Sequence, residues 1–162
     1  GPFTQQLNRP MAGDPTRNQL DDMAEKGMFD SELPPAASLP AFADPFGTAP
    51  LDDRARGYLH ANCSHCHRPG GGGGPSGLVL LAWEPTPAKF GVCKESAAAG
   101  PGTGGHTHDI VPGHPEDSII IFRMSSTDPE LKMPELPNRI PDKHGVALIS
   151  DWIASLTPEG CP

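Results

Sequence analysis

Apolar residues recur at helical spacing in a few stretches of this chain and are sparse elsewhere. Near the C-terminus Val146, Ile149, Trp152, Ile153 and Leu156 follow a period close to 3.6. They predict a helix that opens at Pro141 and ends near Leu156, with Asp142 as its cap and Lys143 as a surface charge. Ala55 and Leu59 lie one turn apart in a second predicted helix over 51–62, whose N-terminus Asp52 and Asp53 favour. A third runs roughly from Pro115 to Met124. Upstream, Asp14-Pro15 signals a helix start, with Leu20, Met23, Met28 and Phe29 on its apolar side and Gly27 as its stop. The short apolar run from Gly77 to Trp83 reads as a strand or extended segment, and residues 89–105 read as loop. Pro34, Pro35, Pro40, Pro45 and Pro50 mark an extended connector. The pattern therefore divides the chain into an N-terminal extension, residues 1–50, and a main domain, residues 51–162.

Composition limits what this domain can bury. Gly 19 and Pro 21 among 162 residues, with 36% hydrophobic residues, leave material for only a small apolar core. The net charge of -8 argues against nucleic acid or an anionic membrane as partner. No apolar run approaches the ~20 residues of a membrane span. Gly1-Pro2 reads as the scar of a cleaved tag, so the natural chain is expected to begin further upstream.

The chemistry concentrates in Cys63-Ser64-His65-Cys66-His67, a C-x-x-C-H sequence of the kind that attaches c-type haem. Two thiols at that spacing can form thioethers to the haem vinyls, and His67 then reaches the iron. A zinc site would need further ligands, and Cys93 and Cys161 are single and far apart. A thioredoxin-like dithiol would need a strand–turn–helix context that is missing here. The glycines of residues 68–77 are not followed by Gly-Lys-Ser/Thr, so they do not form a phosphate cradle. They let the backbone pass close beside a porphyrin instead. Cys93 and Cys161 are expected to pair as a disulfide, which with haem attachment points to a periplasmic or secreted protein. For the sixth iron position the sequence offers Met133 in Leu131-Lys132-Met133-Pro134, Met124, or a histidine. Met133 is preferred, because Met124 falls on a predicted helix and reads as core. His60 and His65 read as solvent-facing. His106, His108 and His114, with Asp109 nearby, leave a copper or zinc site conceivable.

The order helix, C-x-x-C-H, Gly/Pro loop, helix, Met-Pro loop, terminal helix over residues 51–157 resembles a class I cytochrome c domain. That resemblance implies an all-α fold around one haem c, covalently attached through Cys63 and Cys66, with His67 and Met133 as axial ligands. It also implies that the helix bearing Ala55 and Leu59 crosses the terminal helix at Trp152 or Ile149. A proline carbonyl, that of Pro75 or alternatively Pro69, would accept a hydrogen bond from His67. Asn18-Gln19-Leu20, Ala55-Arg56-Gly57-Tyr58-Leu59, Val111-Pro112-Gly113 and Asp151-Trp152-Ile153 further resemble secreted bacterial haem domains at the C-terminal end of multidomain redox proteins. The implied function is one-electron carriage or relay by a monomer, without catalytic residues of its own. The implied partner is a redox protein or domain such as a sugar dehydrogenase or carbohydrate-active oxidase module. The alternative is a haem enzyme or a gas- or peroxide-binding sensor whose sixth ligand leaves.

Overall fold

The computed structural model describes residues 3–136 and 139–162, so the Gly1-Pro2 reading lies outside it. Backbone contacts divide the chain into two units, Gly1–Ala43 and Asp44–Pro162.

The first unit contains α1 (Thr4–Leu7), β1 (Pro10–Met11), β2 (Asp14–Asn18) and α2 (Gln19–Glu25). The strands pair antiparallel, with Pro10 opposite Asn18 and Met11 opposite Asp14. Gly13, at φ +88°, supplies the left-handed turn between them. Asp14-Pro15 thus opens a strand, not a helix. A two-stranded ribbon consists only of edges, where the missing proline N–H is tolerated. Helix α2 starts after Asn18, whose side chain accepts from the Leu20 N–H at 2.8 Å. This hairpin corrects the all-α expectation: the chain is a small mixed fold of six α-helices and one two-stranded antiparallel sheet among the described residues. The proline-rich segment is also better anchored than a bare connector. The Asn8 amide donates to the carbonyls of Ala36 and Leu39 at 2.9 and 2.8 Å, and Ala36 is buried.

The second unit contains α3 (Leu51–Cys63), α4 (Pro87–Phe90), α5 (Ile119–Ser125) and α6 (Lys143–Ala154). Its core joins Ala55 and Leu59 of α3 with Leu148, Ile149, Trp152 and Ile153 of α6, completed by Leu80, Phe90 and Ile110. Polar ties fix how α3 meets α6. The Trp152 indole N–H donates to Asp52 Oδ1 at 2.8 Å, and the Tyr58 hydroxyl donates to Asp142 Oδ2 at 2.9 Å. Asp142 Oδ1 meanwhile caps α6 by accepting from the His144 and Gly145 N–H groups, each at 3.1 Å. Gly145 is where Tyr58 comes closest: a Cβ there would land on its hydroxyl and ring. Glycine at this position leaves the room that the Tyr58 ring occupies.

Two connections hold the remaining loops. Arg56 lies over the Phe90 ring, 4.4 Å from its centroid, and donates to the Glu84 carbonyl at 3.1 Å. The expected disulfide is present: Cys93 and Cys161, with Cα atoms 5.3 Å apart, close a span of 68 residues and tie the C-terminus to the middle of the unit. No helix among the described residues is long and apolar enough to cross a membrane.

Replacing Cys161 by serine should lower stability by about 2–5 kcal/mol in chemical denaturation. Gly145→Ala should cost about 1–3 kcal/mol by overpacking. That penalty should largely vanish in a Tyr58→Ala background, a coupling that a double-mutant cycle on urea midpoints would read directly. Equal costs in both backgrounds would place the strain elsewhere.

Candidate functional site

A cavity of about 690 Å³ opens where α3 ends. That size is within the range of small-molecule and cofactor sites. Its wall brings together Cys63, Cys66 and His67, the glycine loop, α5, the Met133-Pro134 segment and the start of α6. Leu78, Leu80, Ile119, Ile120 and Val146 give it an apolar lining.

The motif is shaped by a tight reversal. The Cys66 and His67 N–H groups donate to the Cys63 carbonyl at 3.1 and 2.9 Å, extending the last turn of α3. The chain then doubles back, so that the Gly73 N–H donates to the Cys66 carbonyl at 3.0 Å and the Leu80 N–H to the His67 carbonyl at 2.9 Å. Two glycines permit that return. A Cβ at Gly71 would collide with the Cys66 carbonyl, and one at Gly73 would sit 2.9 Å from His67 Nδ1. The glycines thus admit the backbone beside the motif itself.

Ser76 sets the state of His67. Its hydroxyl has one proton, which it donates to the Gly73 carbonyl at 2.6 Å. Toward His67 Nδ1, 3.1 Å away, the same oxygen therefore accepts, and it also accepts from the Leu78 N–H at 3.2 Å. The ring accordingly carries its proton on Nδ1 and keeps the Nε2 lone pair. Burial, followed by the positive charge of Arg123, lowers the pKa of His67 and keeps the ring neutral. A neutral imidazole oriented through its far nitrogen is the form a metal requires. Pro75 also lines the cavity, within the short 3-10 turn Gly74–Ser76, but the partner facing the histidine ring is the next residue. Sequence reasoning passed over Ser76, although it lies inside the segment read for Pro75.

The two motif cysteines require a correction. In the structure Cys63 and Cys66 carry free thiols, so the expected haem c covalently attached through them does not describe this chain. Burial, reinforced by the neighbouring Cys66, pushes the Cys63 thiol up to about 12. A thiol held protonated in this way is a poor nucleophile, whereas Cys66 is exposed.

Met133 lies on the opposite loop and lines the same cavity. Its backbone N–H donates to the Arg123 carbonyl at 2.9 Å, and the Arg123 guanidinium donates back to the Leu131 carbonyl at 2.9 Å. The loop is thereby fastened to α5. Met124, buried on α5, lines the cavity as well. Asp109 and Arg123, neither of which the sequence marked as cavity residues, belong to its wall.

The remaining histidines separate. His65 is exposed, but His60 is 1% exposed, with Nδ1 accepting from the Ala82 N–H at 3.1 Å and its ring 4.7 Å from that of Trp83. The structure thus corrects the solvent-facing reading of His60. His106 packs toward Phe122, while Asp109 pairs with Lys94. His114 groups instead with Glu116 and Asp117 on the surface.

Burial lowers the pKa of His60 as well, so the unfolded chain takes up protons near pH 6.5 that the folded chain refuses. Stability should therefore fall as pH drops from about 7 to about 5, and His60→Gln should flatten part of that decline. Melting temperatures across this range would show it; an unchanged slope would remove His60 from the account. Compared with known proteins, the chain matches no family model, no curated protein and no solved structure.

Proposed function

We propose that this protein transfers single electrons, as a carrier or relay between redox partners, through a haem ligated by His67 and Met133 in this cavity. The observation that carries the reading is the Ser76 contact, which engages His67 Nδ1 and leaves the Nε2 lone pair to a cavity that also presents a methionine. An imidazole and a thioether are a donor pair suited to haem iron, the thioether favouring the reduced state. The haem supplies the one-electron exchange between ferric and ferrous iron. The chain's own part is to bind, orient and shield. Ser76 fixes the histidine tautomer, and the Arg123 carbonyl and guanidinium hold the methionine loop. Leu78, Leu80, Ile119 and Ile120 give the cavity an apolar wall.

The order of helix, glycine-rich loop, helix, Met-Pro loop and terminal helix, which resembles that of class I cytochromes, supports the same reading. The disulfide adds support for an extracytoplasmic site of action, where such a bond persists. A redox protein or domain, such as a sugar dehydrogenase or carbohydrate-active oxidase module, is the partner class that follows from that likeness.

The absorption spectrum of the protein after incubation with haem tests this directly. The expected result is a low-spin oxidised spectrum with the weak far-red band of methionine–iron(III) ligation, and sharp bands on reduction. Met133→Ala should abolish the far-red band and let carbon monoxide bind, while Met124→Ala should leave both features unchanged. Colourless protein, or a far-red band that survives Met133→Ala, would overturn the proposal.

A further inference from the structure

The cavity wall contains a buried acid that the reading above does not use. Asp109 is 6% exposed and lines the cavity from the bend between His108 and Ile110. Its carboxylate meets the Lys94 ammonium at 3.1 Å, and Lys94 is itself largely covered and also donates to the Glu95 carbonyl at 3.0 Å. The position of Asp109 is fixed by backbone bonds on both sides. Its N–H donates to the Lys94 carbonyl at 2.8 Å, and its carbonyl accepts from the Ile120 N–H at 3.1 Å. Arg123 on α5 and the preceding residue, His108, are the other charged or titratable groups that act on it. Beyond Arg123 lies Glu135 of the methionine loop.

Resting on the electron-transfer reading, we infer that Asp109 is the proton acceptor that couples to electron uptake in this cavity and makes its potential depend on pH. The coupling is electrostatic. One electron entering the cavity adds one negative charge to a space whose wall includes a carboxylate shielded from water. The ionised form of Asp109 becomes less favourable, and a proton from solvent binds its Oδ atom in part compensation. Reoxidation releases that proton. One electron and up to one proton thus enter together and leave together, and no other reactant is consumed.

Burial acts in the same direction by raising the pKa of Asp109 before any electron arrives, whereas Lys94 opposes it. The group is thereby brought toward the range where a redox change can move its protonation. The sign follows: at low pH Asp109 is protonated in both redox states, and at high pH it is ionised in both. Between its oxidised-state and reduced-state pKa values the midpoint potential falls as pH rises.

The test is a potentiometric titration of the haem-loaded protein as a function of pH, with the Asp109 carboxyl carbon followed by NMR in each redox state. The proton affinity of Asp109 should be about tenfold higher in the reduced protein, the effect of one unit charge about 12 Å away at an effective dielectric near 20. Asp109→Asn should remove this phase of the pH dependence and leave the visible spectrum unchanged. Lys94→Gln, which keeps the acid, should retain the phase but move it to higher pH, so the inference stays testable even if Asp109→Asn folds poorly. A pH-independent potential in the parent protein, or a phase that neither substitution moves, would overturn the role of Asp109 while electron transfer stands. Protein that takes up no electron would overturn both.

Discussion

The close approach of the helix Leu51–Cys63 to the helix Lys143–Ala154 is the constraint on which the second unit depends. Tyr58 lies against the first turn of the terminal helix in the room that glycine at residue 145 leaves, and its hydroxyl binds the same aspartate that caps that helix. Farther along, the Trp152 indole N–H finds Asp52, so the crossing is held at both ends by a polar bond with an apolar centre between them. An apolar contact alone would let the helices slide. The two directional bonds fix their register. The motif follows directly from the end of the first helix, and Asp142 and Val146 at the start of the other belong to the cavity wall, so that register also sets the shape of the cavity.

A similar economy governs the donor groups. None of them relies on a large core, which 36% hydrophobic residues could not furnish. His67 is held by one hydroxyl and by a backbone that returns past two glycines. Met133 is held by a reciprocal exchange with Arg123, and the C-terminus by a covalent bond. Each loop is secured by hydrogen bonds or by sulphur where a more apolar protein would use packing. Such anchors give precise geometry, because each has a preferred direction and a specific partner.

What the sequence revealed divides along the same physical line. Regular periodicity marked the terminal helix, since Ile149, Trp152 and Ile153 had to share a buried face. Turn and cap chemistry was harder to read. Asp14-Pro15 has the composition of a helix start, but Gly13 in the left-handed region folds it into a hairpin, and the capping bond belongs to Asn18. His60 sits beside the motif and resembles any surface histidine in sequence. Its burial comes from the extended segment that carries Ala82 and Trp83, distant in the chain. The motif marked the cavity, and the Met-Pro loop marked its far side. Ser76, Arg123 and Asp109 became visible only in three dimensions, because each acts on a residue brought close by folding.

The pairing of Asp109 with Lys94 poses a physical question that stability alone does not answer. Covering a carboxylate and an ammonium costs more than packing apolar groups of the same size in their place, so a pair in this position is weak evidence of a gain in stability. Its neighbours argue that the position matters. The acid lies on the cavity wall, its backbone is fixed on both sides, and Arg123, which is linked to Met133, adds to its field. A carboxylate held this way senses any charge that enters the cavity, and a base held this way limits how far its proton affinity can move. The same shielding from water that makes the pair costly makes it responsive, because the field of an added charge is weakened less there than at an exposed surface.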